Sequence, residues 1–271
     1  MVPKLAVIVL NYNGKHLLKD CLTSLKNQTS KDFKVWVLDN ASSDNSITYI
    51  KENFSWINII RNNNNDGTAK ASNIAVEKTK SKYIVFMSND IFLDKNCIKI
   101  LIQTLDKNSD IGICTTKLLR PEKSKKTGKF LIDNLGGDLD IYGFAWPREA
   151  LKSTGNWEKT EEVFLSYGGC FIVRRGLYNK IGGFDNKFFT LNDDIDLSWR
   201  IRLLGYKVLV NPSAFAHHKM SATLKNLFNR PKKRYLSERN CLRTLLKNYQ
   251  FSSLIKILPK YLLIEFLEIG F

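Results

Sequence analysis

The sequence predicts an α/β fold in which a mixed, mainly parallel sheet is flanked by helices and followed by a helical tail. Between residues 5 and 120, short apolar runs alternate with longer stretches in which apolar residues recur at helical spacing. Apolar runs without polar alternation are typical of strands covered on both faces, as in parallel sheets with helices on either side. The tail is predicted because residues 219–271 are first strongly basic and then largely apolar.

Each apolar run in the first 120 residues is followed by a segment with helical spacing. The first helix is the clearest, because Leu18, Leu22 and Leu25 share one face of residues 15–26. In chain order, the predicted elements are strand 5–10, helix 15–26, strand 33–38, helix 43–53, strand 57–60, helix 68–78, strand 83–87, helix 94–106 and strand 111–114. Strands connected through helices in this way lie parallel, and ligands bind at their carboxyl ends.

The alternation stops after Arg120. Residues 121–160 hold a proline, a cluster of lysines, several glycines and two tryptophans, and they are predicted to form a long irregular insert. The elements predicted after the insert are a strand at 166–173, a helix from 175 to 182 and a helix at 193–204 that ends at Gly205. We therefore divide the chain into a domain of residues 1–218, with halves of about 1–120 and 121–218, and a tail of residues 219–271.

The charge of the chain points to an anionic partner. Lysine and arginine number 42 against 26 aspartates and glutamates, which gives a formal net charge of +16. Such an excess favours a nucleic acid, an anionic membrane surface or a phosphorylated substrate. Residues 219–271 hold eleven of the basic residues and three of the acidic ones, so the tail supplies half of the net charge. Because residues 254–271 are largely apolar, we expect the tail to contact an anionic membrane surface, with Pro259 dividing its last helix.

Composition excludes several classes of protein. The proportions of 44% hydrophobic and 25% charged residues exclude a fibrous or wholly disordered chain. Five scattered cysteines without a Cys-x-x-Cys pair argue against a zinc site or a disulfide framework and favour a reducing compartment. Neither a secretory signal pattern nor an uninterrupted apolar stretch of about 18 residues is visible. We therefore expect a cytoplasmic protein, peripheral to the inner face of the cell membrane.

Polar side chains mark the ends of the predicted strands. Asp39 ends the second strand just before a helix, where a carboxylate can accept a hydrogen bond from a base or a ribose hydroxyl. Asp90 follows the fourth strand, and a carboxylate there suits a hard divalent cation that also binds phosphate oxygens. Capping of a helix and a polar turn are the structural alternatives for these two residues.

Two further groups combine residue types that carry chemistry. Asp193, Asp194 and Asp196 crowd the start of a predicted helix, where acidic side chains act as caps. Neighbouring carboxylates also raise each other's pKa, which favours a general base. The adjacent His217 and His218 follow a predicted strand, and beside a candidate metal carboxylate they are candidate metal ligands.

The order of these groups resembles that of the family 2 glycosyltransferases, which have the GT-A fold, and most closely their rhamnosyltransferase-like branch. The matching stretches are residues 7–14, 38–46, 65–73, 88–90, 182–185 and 193–197, together with His217. Each stretch alone is a weak signal. All of them in the family's order, over residues 5 to about 221, form a specific one.

The resemblance implies an inverting transferase that moves a sugar from a UDP-, dTDP- or GDP-linked donor to a hydroxyl of a glycan or lipid-linked acceptor. It implies a divalent metal, Mn²⁺ or Mg²⁺, that neutralises the leaving diphosphate. Residues 1–218 would then be the catalytic domain, with the nucleotide sugar held by the first half and the acceptor by the second. The product would belong to polysaccharide biosynthesis.

The resemblance also implies roles for individual residues. Those placed at the nucleotide are Asn11, Asp39, Asn65, Gly67, Asn73 and Asn89. Asp90 would bind the metal, and His217 would lie near the metal and the diphosphate, with His218 as the alternative. Asp194 would match the family's catalytic carboxylate and take the acceptor's proton.

Three auxiliary residues complete the predicted site. Asp193 stands where the family has a glutamate before the catalytic aspartate. Trp146 and Trp157 are candidates for stacking on the acceptor sugar, although tryptophans are more often part of a core. Two other departures from the family pattern are Ser88 in place of an acidic or amide residue, and Asn-Asp-Gly-Thr at residues 65–68, which leaves the preferred sugar nucleotide open.

Two other function classes are weaker. A nucleotidyltransferase that makes the sugar nucleotide would want a Gly-rich basic loop after the first strand, whereas residues 11–14 offer one glycine before Lys15. A nucleic-acid-binding protein would fit the charge, but the basic residues cluster in the tail without an RNA-binding aromatic motif. Carboxylates at the strand ends would also repel phosphates in the absence of a metal, so we do not expect nucleic acid as a partner.

Overall fold

The fold consists of a large sheet with helices on both faces and a pair of C-terminal helices packed beside it. The computed structural model describes residues 2–153, 157–219 and 229–269. In chain order the elements are β1 (Leu5–Asn11), α1 (Lys15–Lys26), β2 (Phe33–Asp39), α2 (Ser46–Asn53), β3 (Asn58–Arg61), α3 (Gly67–Glu77), β4 (Tyr83–Ser88), β5 (Ile91–Leu93), α4 (Cys97–Lys107), β6 (Ile111–Lys123), β7 (Phe130–Asn134), β8 (Gly137–Leu139), β9 (Ala145–Pro147), β10 (Glu161–Glu162), β11 (Cys170–Arg174), α5 (Arg175–Lys180), a 3₁₀ turn (Asn186–Phe188), α6 (Asp193–Leu203), β12 (Lys207–His218), α7 (Arg230–Asn248) and α8 (Phe251–Ile269).

The sheet is mixed and mainly parallel, as predicted. Its strands run in the order β10–β12–β6–β11–β4–β1–β2–β3, with β5 added to β12 and β7 added to β6. The four strands from β3 to β4 are parallel to one another, β11 is antiparallel to both of its neighbours, and β12 runs parallel to β6. The carboxyl ends of β1, β2 and β4 therefore meet at one edge of the sheet.

Alternate residues of each buried strand enter one of two apolar cores. On β1, Val7 and Val9 face a core that includes α1 and α4, whereas Ile8 faces a core that includes α3, α5 and α6. These three side chains are fully buried. Each buried side chain of this size stabilises the fold by about 1.5–3 kcal/mol, so the two cores fix the sheet rigidly beneath its polar edge.

The predicted alternation of the first half is confirmed. Observed and predicted boundaries agree within about three residues for every predicted element up to α4, and helix 15–26 matches at both ends, but the short strand β5 was not predicted. Strand 111–114 is longer than predicted, because β6 runs on to Lys123.

The prediction of an irregular insert at residues 121–160 is wrong in part. β7 returns antiparallel to β6, and β8 pairs with β9 in a small separate sheet. The apolar runs in these strands are too short for a periodicity to stand out, so the sequence pattern does not reveal them. Residues 154–156 of the predicted insert lie outside the described residues.

β12 contains an irregularity that matters for the site. From Val208 to Asn211 its residues pair with successive residues of β6, and Asn211 lies opposite Thr116, but the next pair joins Phe215 to Lys117. Three residues of β12 are therefore looped out between two regular stretches, and the strand resumes before His217 and His218.

The tail forms helices, as predicted, and α7 packs against the second half of the domain. Leu245 and Cys241 of α7 and Tyr261 of α8 are buried in an apolar cluster with Trp199. Hydrogen bonds fix the contact, since the Asn240 amide donates to the carbonyl oxygens of residues 188, 190 and 191 at 2.8–2.9 Å. Across the described residues, the helices are too short or too polar to cross a membrane.

Candidate active site

A large open cavity lies where the strand ends of the first half face the start of α6 and α7. Its volume is about 1120 Å³, at the upper end of the range of small-molecule sites. The predicted site residues that line it are Asn11, Asn65, Gly67, Asn89, Asp90, Asp193 and Asp194. The cavity therefore brings together most of the predicted site.

The ends of β1, β2 and β4 are joined by a chain of side-chain hydrogen bonds. Asn11 donates to Asp39 Oδ1 at 3.0 Å, and Asn89 donates to Asn11 Oδ1 at 2.8 Å. The backbone N–H of Ser42 donates to Asp39 Oδ2 at 3.0 Å. Asp39 is fully buried and does not line the cavity, so in this structure its carboxylate positions Asn11 and the start of the following loop.

Asn40, which the sequence analysis did not single out, fixes the loop before α3. Its amide donates to Asn65 Oδ1 at 2.8 Å and to the Gly67 carbonyl at 3.1 Å. Its oxygen accepts from the side chain of Asn62 at 3.0 Å and from the N–H of Asp66 at 3.1 Å. Asn40 also lines the cavity, so the loop and the strand end form one polar wall.

Gly67 begins α3 at a point where no side chain fits. Its φ is +75°, and a Cβ atom there would lie 2.2 Å from the carbonyl oxygen of Phe189. That oxygen accepts the backbone N–H of Thr68 at 2.5 Å. The close approach joins the start of α3 to the segment before α6, so the glycine couples the two sides of the cavity.

Asn73, predicted at the nucleotide, lies away from the cavity. Its amide donates to the Phe184 carbonyl at 2.8 Å and to Asn186 Oδ1 at 2.7 Å, while Tyr178 donates to its oxygen at 2.5 Å. The side chain therefore anchors α3 to the matching stretch at residues 182–185, and its contribution to the nucleotide pocket is indirect.

Asp90 is buried at the cavity floor beside a histidine that a second carboxylate orients. His218 Nε2 lies 3.4 Å from Asp90 Oδ2, and His218 Nδ1 lies 2.8 Å from Asp133 Oδ2. Burial disfavours the imidazolium, but the contacts with Asp133 and Asp90 outweigh burial and raise the pKa of His218 to about 9. Asp133 holds the ring with Nε2 towards Asp90, which is the arrangement that orients metal-bound histidines.

His218, the alternative, takes the place predicted for His217. The ring of His217 stacks on Phe92 at 5.0 Å and meets the edge of Phe130 at 4.6 Å, and it does not line the cavity. Burial lowers the pKa of His217. Successive side chains of a strand point to opposite faces, so only one of two adjacent histidines can reach the cavity.

Asp193 and Asp194 open α6 on the opposite wall. Asp194 Oδ2 accepts the N–H of Gly168 at 2.5 Å, and its Oδ1 accepts the N–H of Ile195 at 2.9 Å. Asp193 Oδ2 accepts the hydroxyl of Thr68 at 2.7 Å. Residues 167–169 all have positive φ angles, and this backbone shape directs the Gly168 N–H at Asp194.

The two carboxylates differ in how their charge is supported. Burial and the neighbouring Asp194 charge raise the pKa of Asp193. Burial also raises the pKa of Asp194, but its two backbone N–H donors and its place at a helix N-terminus favour the ionised form. Asp194 is therefore the carboxylate of the pair that keeps its charge more readily and can accept a proton from a bound hydroxyl.

The third acidic residue of this group, Asp196, is structural. It is fully buried, pairs with Arg200 at 2.6 Å and contacts Lys247 of α7 at 3.0 Å. The amide of Asn248 donates to its other oxygen at 3.2 Å. Asp196 therefore attaches α7 to α6.

Trp146 and Trp157 line a different, smaller depression. It has a volume of about 600 Å³ and is shared with Arg148 and Glu149. The Trp157 indole donates to Glu149 Oε2 at 3.1 Å, while Trp146 is 46% exposed. Their position does not place them at Asp194, and their predicted stacking on an acceptor has no support from the main cavity.

Three groups at the cavity escaped the sequence analysis. Asn40 directly follows Asp39, and the sequence pattern favours the carboxylate as the functional residue. Asp133 lies on β7, within the segment predicted to be irregular. The third group consists of basic side chains at the start of α7, Arg230, Lys233 and Arg234. The sequence shows their charge as part of the basic tail, but no sequence pattern indicates that α7 folds back on the cavity.

The cavity offers donors for a divalent cation without a closed cage. Across the described residues, no group of three or more His, Cys, Asp or Glu side chains is arranged to hold a metal. Asp90 and His218 nevertheless converge on the cavity, and a carboxylate oxygen with an imidazole nitrogen suits Mn²⁺, the other positions being filled by phosphate oxygens or water. The two residues therefore fit a divalent cation that takes its remaining ligands from outside the protein.

Residues 6–182, well over half of the chain, match the family model of Glycosyl transferase family 2.

Three curated relatives are named as glycosyltransferases or rhamnosyltransferases. An N-acetylglucosaminyl-diphospho-decaprenol L-rhamnosyltransferase of Mycobacterium tuberculosis is 24% identical over 82% of this chain and 78% of its own. The O-antigen chain rhamnosyltransferase RfbN of Salmonella typhimurium is 26% identical over 84% of this chain and 70% of its own. An uncharacterized glycosyltransferase of Haemophilus influenzae is 26% identical over 64% of this chain, which spans 58% of that relative's length.

Solved structures share the fold at low identity. A mannosyltransferase of Pyrobaculum calidifontis in complex with GDP-Man and Mn²⁺ superposes with a TM-score of 0.64 at 15% identity, over 95% of this chain and 68% of its own. GalNAc-T7 with UDP, GalNAc and Mn²⁺ gives a TM-score of 0.68 at 16% identity, over 90% of this chain and 48% of its own. The α/β architecture is therefore that of the GT-A enzymes.

Proposed function

Because this chain belongs to glycosyltransferase family 2, we propose that it transfers a sugar from a nucleotide-sugar donor to a hydroxyl of a glycan or lipid-linked acceptor, with inversion at the anomeric carbon. The observation that carries the proposal is the position of Asp194. Its carboxylate is held by two backbone N–H groups on one wall of a cavity whose floor presents Asp90 and His218.

The proposed reaction is a single displacement. The acceptor oxygen attacks the anomeric carbon, its proton passes to Asp194, and the bond from the anomeric carbon to the donor's phosphate oxygen breaks, so that the nucleoside diphosphate leaves. Burial raises the pKa of Asp194, which makes it a stronger base than an exposed aspartate. One displacement inverts the anomeric centre and needs no second nucleophile from the protein.

The strand ends would receive the donor. Asn11, Asn65 and Asn89 present amide groups to the cavity from a wall that their mutual hydrogen bonds hold in shape. Asp90 and His218 would hold a divalent cation. When bound, the cation would neutralise the negative charge of the departing diphosphate.

The comparisons limit the choice of nucleotide and sugar in the donor only in part. Solved structures of the same fold are complexes with UDP or GDP-Man. Two curated relatives are named as rhamnosyltransferases, and for this reason we favour transfer of rhamnose or a similar hexose from a UDP-, dTDP- or GDP-linked donor.

A panel of nucleotide sugars tests the proposal. We expect one member of the panel to raise the melting temperature in the presence of Mn²⁺ or Mg²⁺, since a ligand at 100 times its Kd stabilises by about 2.7 kcal/mol. Transfer of its labelled sugar to a lipid extract, followed by NMR of the product's anomeric configuration, reports inversion. Retention of configuration, or binding without transfer to any acceptor, would overturn the mechanism.

We also propose that α8 attaches the enzyme to an anionic membrane surface. Phe251, Ile255, Leu262 and Phe266 lie on one face of α8 and are each at least 50% exposed. Lys256 and Lys260 are exposed on the same helix and can pair with anionic headgroups.

Vesicle binding tests the membrane proposal. Each inserted large side chain contributes about 1.5–3 kcal/mol, so Phe251→Glu and Phe266→Glu should each reduce co-sedimentation with phosphatidylglycerol vesicles at least about tenfold. Leu203→Glu, on α6, is the control because Leu203 is also a large apolar side chain that is exposed, at 62%, but lies outside α8. Equal binding to anionic and uncharged vesicles would argue against the charge component. No binding to either would refute the attachment.

A further inference from the structure

The start of α7 brings a group of cations to the cavity that holds Asp194. Arg230, Lys233, Arg234 and Ser237 all line this cavity. Their spacing of three, four and seven residues places them on one face of the helix. The rest of α7 is fixed to the domain through Asn240 and Lys247, so this face is held against the opening.

These cations are not equivalent. Arg234 forms an ion pair with Glu238, one turn further along the helix. In the part of the chain that the structure describes, no carboxylate pairs with the side chain of Arg230 or Lys233, and both residues are exposed. Two cationic groups therefore remain available at the cavity mouth for an anionic ligand.

An apolar surface adjoins the cationic group. α8 runs back along α7, because the Tyr261 hydroxyl donates to the Glu238 carbonyl at 3.3 Å and Glu265 reaches the same cavity. Beside them, Leu262, Leu263, Phe266 and Leu267 are at least 50% exposed. The end of α8 thus places an exposed apolar surface next to the cations of α7.

Three surfaces follow one another from the cavity outwards. The proton acceptor Asp194 lies inside, Arg230 and Lys233 lie at the mouth, and the apolar end of α8 lies beside them. A molecule that carries a sugar, a phosphate group and a lipid chain in this covalent order matches all three. A neutral glycan matches only the first, and a glycolipid without phosphate matches only the first and the last.

We propose that Arg230 and Lys233 bind the phosphate groups of a lipid-linked acceptor, whose sugar reaches Asp194 and whose lipid lies on the end of α8. The proposal rests on the proposed glycosyltransferase function and specifies its acceptor class. Charge-assisted hydrogen bonds from arginine and lysine to phosphate are among the strong polar contacts in proteins. The donor's diphosphate is a second possible source of the same chemistry, so the experiment has an arm for each.

Binding of a short lipid diphosphate tests the site without any transfer reaction. Farnesyl diphosphate, farnesol and UDP are titrated separately against the full chain by calorimetry, below the micelle concentration of the lipids. The variants are Arg230→Ala, Lys233→Ala and the double substitution. Lys232→Ala is the matched control, because Lys232 lies on the same turn but does not line the cavity.

For wild-type protein we expect farnesyl diphosphate to bind at least about tenfold more tightly than farnesol. The double variant should lose at least about tenfold in affinity for farnesyl diphosphate, while its affinity for UDP changes less than about twofold. Lys232→Ala should leave both affinities within about twofold, and Arg230→Lys should retain most of the binding. Both target side chains are exposed, and an unchanged melting temperature verifies that the variants fold.

Two results would overturn the proposal. If farnesol binds as tightly as farnesyl diphosphate, the cations recognise no phosphate. If the double variant loses UDP affinity as strongly as farnesyl diphosphate affinity, the cations serve the donor. Because these measurements involve binding alone, they remain informative whether or not transfer is found with the nucleotide-sugar panel, and the two proposals can fail separately.

Discussion

The strand-end wall of the cavity and its helix wall use their polar atoms differently. On the strand-end wall, Asn11, Asn40 and Asn89 hydrogen-bond to other side chains or to backbone, so the wall is shaped before any ligand arrives. On the helix wall, backbone N–H groups hold Asp194, and the cations at the start of α7 face the opening. The amides of the strand-end wall are thus occupied by one another, whereas the helix wall presents charged groups to the opening.

The substitution Asp194→Asn should show the largest difference between the two walls, because it changes the helix wall and leaves the strand-end wall unchanged. Asparagine has nearly the same shape but cannot accept a proton, and it can accept only one of the two backbone N–H groups. A general base contributes about 10²–10⁴-fold, so turnover should fall by at least about 10²-fold. Donor binding, measured by the melting-temperature shift with nucleotide sugar, should stay near wild type because the strand-end wall is intact. Turnover within tenfold of wild type would remove Asp194 from the mechanism.

The pH dependence of turnover sharpens this prediction. Burial raises the pKa of both Asp193 and Asp194, the neighbouring charge raises that of Asp193 further, and the base must be ionised to act. Turnover should therefore fall as the pH drops through a pKa above the ordinary aspartate range. Because Asp193 takes up its proton before Asp194 as the pH falls, Asp193→Asn should leave the acidic limb near its wild-type position. A shift of the limb to lower pH would show that Asp193 is still ionised where Asp194 titrates.

Asp133→Ala tests the orientation of His218. Loss of a residue that orients a metal-bound histidine typically costs about 10–100-fold in metal affinity, and we expect this range for Mn²⁺ titrated in the presence of UDP. Asp133→Asn should lose less, since its oxygen can still accept from His218 Nδ1. Asp110→Ala is the control, because Asp110 is an exposed aspartate whose partner is Lys207. Equal Mn²⁺ affinity in wild type and Asp133→Ala would contradict this role.

Gly67→Ala tests the contact between the walls. The new methyl group would meet the Phe189 carbonyl, and the positive φ adds strain of about 1–3 kcal/mol. Gly205→Ala is a matched control, because Gly205 has a φ of +82° but open space around it. Chemical denaturation should show that Gly67→Ala is the more destabilised by at least about 1 kcal/mol. Equal losses would mean that the close approach is not needed.

Trp146→Ala should have the smallest effect. Trp146 lines the separate depression and not the main cavity, so kcat and the acceptor KM should each stay within about twofold of wild type. A tenfold rise in the acceptor KM with unchanged donor binding would restore Trp146 to the acceptor site.

The sequence predicts the first half and its polar edge well, because both depend on local patterns. An apolar run followed by a helical period defines a strand and its crossover, and the ends of such strands must meet at one edge. Asn11, Asn65, Asn89 and Asp90 reach the cavity for this reason.

The second half resists prediction because its contacts are distant in sequence. Asp133 meets His218 across 85 residues, and the Arg239 and Asn240 side chains meet the Phe188 carbonyl across about 50. No local periodicity encodes these pairs. Asn73 shows a different limit of sequence-based prediction. Its motif is recognisable in the sequence, but its side chain holds α3 in place and does not line the cavity.

The loop-out in β12 has a consequence for how this site can change. Three residues are looped out between Asn211 and Phe215, and three is an odd number. After an odd number of looped-out residues, each later side chain of the strand points to the opposite face of the sheet. After an even number, each later side chain would keep its face. Because the number of looped-out residues between Asn211 and Phe215 is odd, His218 and not His217 meets Asp90. Insertion or deletion of a single residue there would turn His217 towards Asp90 and His218 towards the aromatic rings, without altering either histidine.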